Sequence, residues 1–296
     1  MSDLKRFSLK PRSAEKEPEP CGKTDQPAQE PGEENRSGDR APTGPAGNPA
    51  TGTLKLIALF FMLMDHLGAV VFVDAPELRI VGRIAFPIYC WCLIVGFHYT
   101  RSVPKYMGRM LLTGLISQPL YAWVMNHMGH SGNLFLDLMT VKPNIFLTLL
   151  IGLAGLWGIR ENRMGSRFWA PAAAIALATA LKADYGWKGV LFILLLYTCR
   201  KSRTAIASVM IAFFLFWGAS YSMTSSLFGM PLDLNRLPNW LYQPLSSFLR
   251  LETYGLISLA FILPRFRKNV RMPVWVSYAI YPAHLLIVLL FKAVVQ

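Results

Sequence analysis

Residues 55–68 read KLIALFFMLMDHLG, an apolar run that ends on an acid and an imidazole. The apolar part is a membrane-helix pattern. Asp65 and His66 are costly exceptions near its mid-depth, at about 2.5–3.5 kcal/mol for a charge at a helix centre. Neighbouring helical positions point about 100° apart, so these two side chains do not pair with each other and must find partners on other helices. Lys55 and His66, eleven residues apart, fall about three turns plus 20° from one another. They therefore share one stripe with about 16 Å of rise between them. A cation at one mouth and an imidazole deep on the same stripe describe a track from the cytoplasm into a bilayer.

The rest of the chain agrees with a membrane reading. Of 296 residues, 53% are hydrophobic and 16% charged, where a soluble domain carries roughly a quarter charged. Residues 1–53 hold eight prolines, eight Lys+Arg and nine Asp+Glu, leaving 22 basic and 8 acidic residues on the remaining 243. This excludes a soluble globule, a collagen-like fibre and a disulfide scaffold. The basic excess suits cytoplasmic loops rather than nucleic acid. Residues 1–53 have too little apolar surface to offset their ordering entropy, and are expected to be a disordered cytoplasmic tail.

From residue 54 to 296, apolar segments repeat near 54–73, 80–99, 107–126, 143–160, 168–183, 186–199, 204–222, 245–264 and 274–293. The expected fold is an all-α polytopic membrane protein of about nine transmembrane helices. The fifth and sixth segments are short for a span, and read as a tilted or broken pair around Asp184, Tyr185 and Gly186. The stretch 223–250 has room for another short helix. Basic loops alternate at Arg101/Lys105/Arg109, Arg160/Arg163/Arg167, Arg200/Lys201/Arg203 and Arg265/Arg267/Lys268/Arg271. They put the N-terminus in the cytoplasm and Gln296 outside.

Other polar residues stand out against this background. Arg83, near the start of the second segment, can snorkel outward or pair inward with Asp65. Pro119, after Ser117 and Gln118, marks a kink. His284 on the last segment lies at a depth similar to His66, so both can face one cavity. Cys90 and Cys92 are about 200° apart on a helix and read as buried apolar residues. His127, His130 and Asp137 have metal-ligand spacing, but glycines 129 and 132 favour a solvated loop, and no metal site is expected. Gly152, Gly155 and Gly158 read as a packing surface.

Several motifs together carry a family likeness. They are Lys55-x-x-Ala58-x-x-x-Met62-x-x-Asp65-His66, Gly82-Arg83-x-Ala85-Phe86-Pro87, Asn144-Ile145-Phe146, Tyr185-Gly186-x-x-Gly189 and Tyr281-x-x-His284-Leu285. The chain from 54 to about 293 resembles the TraX family of conjugative pilin acetylases. The basic residue set eleven positions before a histidine also resembles a wider group of membrane acyltransferases. The resemblance implies a multi-pass protein of the bacterial inner membrane that takes acetyl from cytoplasmic acetyl-CoA. The acceptor it implies is the N-terminal amine of a pilin subunit.

In that chemistry an imidazole, whose ordinary pKa lies nearest neutrality, is the natural base or acyl carrier. His66 is the candidate, with Asp65 and Arg83 orienting groups and balancing charge and His284 in the same site. Lys55, Arg101 and Arg109 are the candidates for the coenzyme A phosphates. A proton-coupled transporter using Asp65 and His66 as a relay, and a non-catalytic pilus assembly factor, are the alternatives.

Overall fold

The computed structural model describes residues 44–125, 141–224, 226–227, 230–231 and 237–295. Most of the expected tail, with Cys21, lies outside the described residues, as do His127, His130 and Asp137. The chain builds α1 (Thr51–Val70), α2 (Pro76–Gly82), α3 (Ala85–Tyr99), α4 (Val103–Val124), α5 (Ile145–Glu161), α6 (Ser166–Ala180), α7 (Gly186–Thr198) and α8 (Arg203–Gly218). A two-residue antiparallel pair follows, β1 (Ser226–Leu227) on β2 (Met230–Pro231). Then come α9 (Asn239–Phe248), a 3-10 helix (Leu251–Ser258), α10 (Leu259–Ile262) and α11 (Val274–Val295).

Each of the nine expected apolar segments contains helix, with the second broken in two and the eighth mostly a 3-10 helix. Among the described residues, three helical stretches are long and apolar enough to cross a membrane: Thr51–Val70, Pro76–Tyr99 and Val274–Val295. The helices α5, α6 and α7 have 17, 15 and 13 residues. At 1.5 Å per residue they reach about 20–26 Å, short of a hydrocarbon core of about 30 Å. In an 18-residue apolar window of the Pro76–Tyr99 stretch 83% of the residues are buried, against 22% in that of α11. It is therefore the central element, contributing the fully buried Trp91 and Phe97, while α11 is peripheral.

Local chemistry explains where the helices start and break. Asn144 caps α5, its Oδ1 accepting from the Phe146 N–H at 3.0 Å, and Asn162 closes the same helix in the left-handed region at φ 47°, a normal C-terminal device. The second segment breaks between α2 and α3, because Pro87 lacks an N–H and its ring disfavours a helical carbonyl four residues back, at Arg83. The expected break around residue 184 is present, with Lys182 at φ 48° and Gly186 at φ 55°. The glycines 152, 155 and 158 do form a packing surface: a Cβ there would meet Ile193, Ala174 and Ala170 respectively.

Two expectations about boundaries need correction. The fold does not begin at residue 54. Residues 44–53 belong to it: Trp91 donates its indole N–H to the Asn48 carbonyl at 2.8 Å, and the Ala46 N–H reaches the Arg200 carbonyl at 2.7 Å. Small residues and prolines, read as tail, are here the backbone that satisfies a buried tryptophan. The eighth segment, 245–264, is not one helix. The 223–250 stretch contains α9, and the chain then winds as a 3-10 helix that brings the Gly255 backbone against the Phe214 ring, where a side chain would collide.

Candidate functional site

At the end of the helices opposite the basic loops lies a chamber of about 830 Å³. Its walls come from the C-terminal parts of α1 and α4, the last turn of α2, the starts of α3 and α5, the α6–α7 connection, the end of α8 and the chain after it, the start of the 3-10 helix, and Tyr281 of α11. Asp65, His66, Arg79, Arg83, Asp184 and Glu252 all line it. No single helix could supply this set.

A guanidinium organises one wall. Arg83 Nη2 donates to Asp65 Oδ1 at 2.5 Å, and its Nη1 donates to Glu252 Oε1 at 3.1 Å. Arg79 adds a weaker pair to the same Asp65 oxygen at 3.3 Å. The Arg83 side chain is 10% exposed and Glu252 7%, so these charges are held by one another rather than by water. Removing one member of such a set costs about 3–5 kcal/mol. Of the two options open from sequence, Arg83 takes the inward one. The Gly82 preceding it lets α2 cross α1 closely, since a Cβ there would run into Asp65.

The histidines form the other wall. His66 Nδ1 and His284 Nε2 stand 2.9 Å apart, with rings nearly parallel at 15° and centroids 5.0 Å apart. One nitrogen must carry the proton between them. Nδ1 of His284 is buried without a well-formed hydrogen bond, and faces the Tyr281 and Ile280 carbonyls. A proton is best kept there, so Nε2 of His284 accepts and Nδ1 of His66 donates. That tautomer leaves a lone pair on Nε2 of His66, the residue of the two that lines the chamber. Below, Phe86 stacks on Tyr185 at 3.8 Å, and Trp217 meets both rings edge-on.

Asp184, in the α6–α7 connection, opens to the chamber on one side and is crowded by protein on the others. That crowding pushes its carboxyl up to about 6. The Arg83 charge opposes the rise, Asp65 adds to it, Lys142 opposes it and Glu252 adds to it. The open side lets water moderate the effect. Tyr121 pairs with Asp184 through its hydroxyl.

The sequence reading named some of this site and missed the rest. Asp65, His66 and Arg83 converge on the chamber, and His284 stands directly behind His66. Lys55, Arg101 and Arg109 are not brought to it. Lys55 lines a separate cavity of about 70 Å³. Arg109 sits 6.0 Å from the centre of the Tyr278 ring, and Arg101 is exposed. Glu252, Asp184, Lys142, Lys182 and Lys188 went unrecognised. Glu252 alone left a signal, as an acid inside an apolar segment.

A TraX protein family model matches residues 50–292. The chain belongs to the TraX family. Within curated proteins, it is 34% identical over 159 residues to a probable fimbrial assembly protein FimC, serogroup H1, of Dichelobacter nodosus, covering 51% of this chain and 64% of that relative. It is 26% identical over 157 residues to the uncharacterized protein RP591 of Rickettsia prowazekii (strain Madrid E), covering 51% of this chain and 56% of the relative. The matches thus span less than two thirds of either relative. No solved structure matches the chain. Together, the three long apolar helices and the TraX match make this a membrane protein whose family match includes every ionisable side chain of the chamber.

Proposed function

We propose that this TraX protein is a membrane N-acetyltransferase acting on a pilin subunit, with acetyl-CoA as donor. The observation that carries the reading is the pair of histidines 2.9 Å apart, His66 facing the chamber and His284 behind it. Amine attack on a thioester needs the amine proton removed. In the tautomer above, Nε2 of His66 is free to accept it, while Nδ1 stays fixed by His284. The new C–N bond forms as the C–S bond breaks, and the proton on His66 passes to the departing thiolate. Arg83, held in place by Asp65 and Glu252, offers guanidinium N–H donors beside the site where an oxyanion develops. Acetyl transfer through His66 Nε2 itself is the covalent variant of the same arrangement.

The pilus connection rests on the TraX match and on the relative named for fimbrial assembly. With all nine segments crossing the inner membrane, alternating basic loops put the N-terminus in the cytoplasm and the chamber at the outer end. Lys55, Arg101 and Arg109 then stand at the cytoplasmic end, where a coenzyme A phosphate would arrive. The name of the Dichelobacter relative also favours a second reading, a non-catalytic assembly factor that holds pilin. Mass spectrometry of a co-expressed pilin separates them. Acetyl addition with the wild-type chain and its absence with well-inserted His66→Ala support the enzyme. Assembly with no mass change on pilin supports the factor.

A further inference from the structure

We propose that the face of α4 and α5 beside the chamber is a binding site for one anionic phospholipid. A groove of about 640 Å³ runs there, separate from the chamber except at one end. Its length is apolar, with Leu111 and Leu115 of α4 opposite Leu147 and Leu150 of α5. Its upper end holds Lys142 and Lys182, which line the chamber as well. Neither lysine makes an ion pair among the described residues.

Geometry and charge name the occupant. From the lysine level, α4 descends from Gln118 to Leu111 and α5 from Asn144 to Leu150, about 9–10 Å of helical rise. A leaflet of a hydrocarbon core about 30 Å thick is about 15 Å deep. A groove that starts at the level of lipid phosphates therefore follows the upper part of an acyl chain. Leu111 and Leu115 are 48% and 62% exposed, an apolar wall that suits an acyl chain and not water. Two ammonium groups with no ion pair among the described residues match a phosphate, at about 1 kcal/mol per basic residue near a membrane surface.

The head of the groove is also rigid. Gln118 donates to the Lys142 carbonyl at 3.2 Å and accepts from the Asn144 N–H at 2.9 Å. Asn144 reaches back to the Gly114 carbonyl at 2.8 Å. The polar Ser117-Gln118-Pro119 stretch, otherwise unexplained in an apolar helix, thus pins the lysine-bearing strap to α4. This assignment does not depend on the acetyltransferase reading.

The test is native mass spectrometry of the full-length protein released from detergent, with added phosphatidylglycerol or phosphatidylcholine. One phosphatidylglycerol should be retained per chain, in preference to phosphatidylcholine. The double change Lys142→Gln with Lys182→Gln should weaken retention about thirtyfold, while the Lys→Arg pair should keep it. Leu147→Trp, which fills the groove without altering charge, should also release the lipid, with Leu115→Trp on the exposed rim as a second groove variant if the first lowers the melting temperature. Retention unchanged by the glutamine pair, equal retention of both lipids, or loss with the lysine variants alone and not with either tryptophan would overturn the site.

Discussion

The chamber around His66 and the small cavity around Lys55 are built on the same helices, yet they differ in almost every physical respect. Both use α1, α3, α5 and α11, and Met62, Tyr89, Ile145 and Tyr281 line both. The chamber is about 830 Å³ and gathers three carboxylates with five basic side chains; the cavity is about 70 Å³ and holds Lys55 among methionines, tyrosines and Cys92. The difference lies in what closes each end. Asp65 and Glu252 bind one guanidinium, which fixes two helices and the 3-10 segment around a polar space. At the Lys55 end no carboxylate among the described residues lines the cavity, and the space shrinks to side-chain dimensions. Sharing a helical stripe sets direction only. It does not put two residues in one site.

If that contrast has chemical meaning, its largest consequence is in acetyl transfer. His66→Ala should lower acetylation of co-expressed pilin by about 10²–10⁴-fold, while Lys55→Ala should change it by less than about tenfold, both read by mass spectrometry at matched membrane levels. Equal losses would erase the distinction between the two regions. Stability should separate them next. Arg83→Ala strands Glu252, leaves Asp65 only its weaker pair to Arg79, and should cost about 3–5 kcal/mol, seen as a lower melting temperature in detergent. Arg83→Lys should recover part of this loss, since one ammonium can meet one carboxylate but cannot fork to two.

A smaller effect is expected at His284. Its replacement by Ala leaves the buried Nδ1 of His66 without a partner, at about 1–3 kcal/mol. His284→Gln, whose side-chain oxygen can accept from that nitrogen, should retain more acetylation than His284→Ala, which a merely space-filling role would not produce.

The smallest effect concerns Asp184. Its carboxyl is held up to about 6 in the folded chain, above the ordinary value of about 3.9. The folded state therefore binds this proton more tightly than the unfolded one. The stabilisation is fully present below about pH 4 and disappears as pH rises through about 6. Asp184→Asn should flatten the fall in melting temperature between pH 4 and 6 and leave the acid limb unchanged. Water on the open side of the carboxylate keeps the change small. A wild-type profile that is already flat there would remove Asp184 from the electrostatics of the chamber.

The sequence by itself determined the membrane class, the helical segments and the most expensive residues on them. Hydropathy and helical period are local properties, and a charge in an apolar run is conspicuous without a structure. That is why Asp65, His66, Arg83 and His284 could be named, and why the break at Asp184 was visible. It did not determine helix α9, the 3-10 winding before α10 or the inclusion of residues 44–53, because these follow from how Gly255 meets Phe214 and Asn48 meets Trp91 across the fold. The partners were also decided only in three dimensions. Glu252 lies 169 residues from Arg83 and His284 lies 218 from His66. No periodicity extends over such separations. Packing depth, crossing angle and close approach at Gly82 choose which side chains share a chamber, and those exist only once the helices have met.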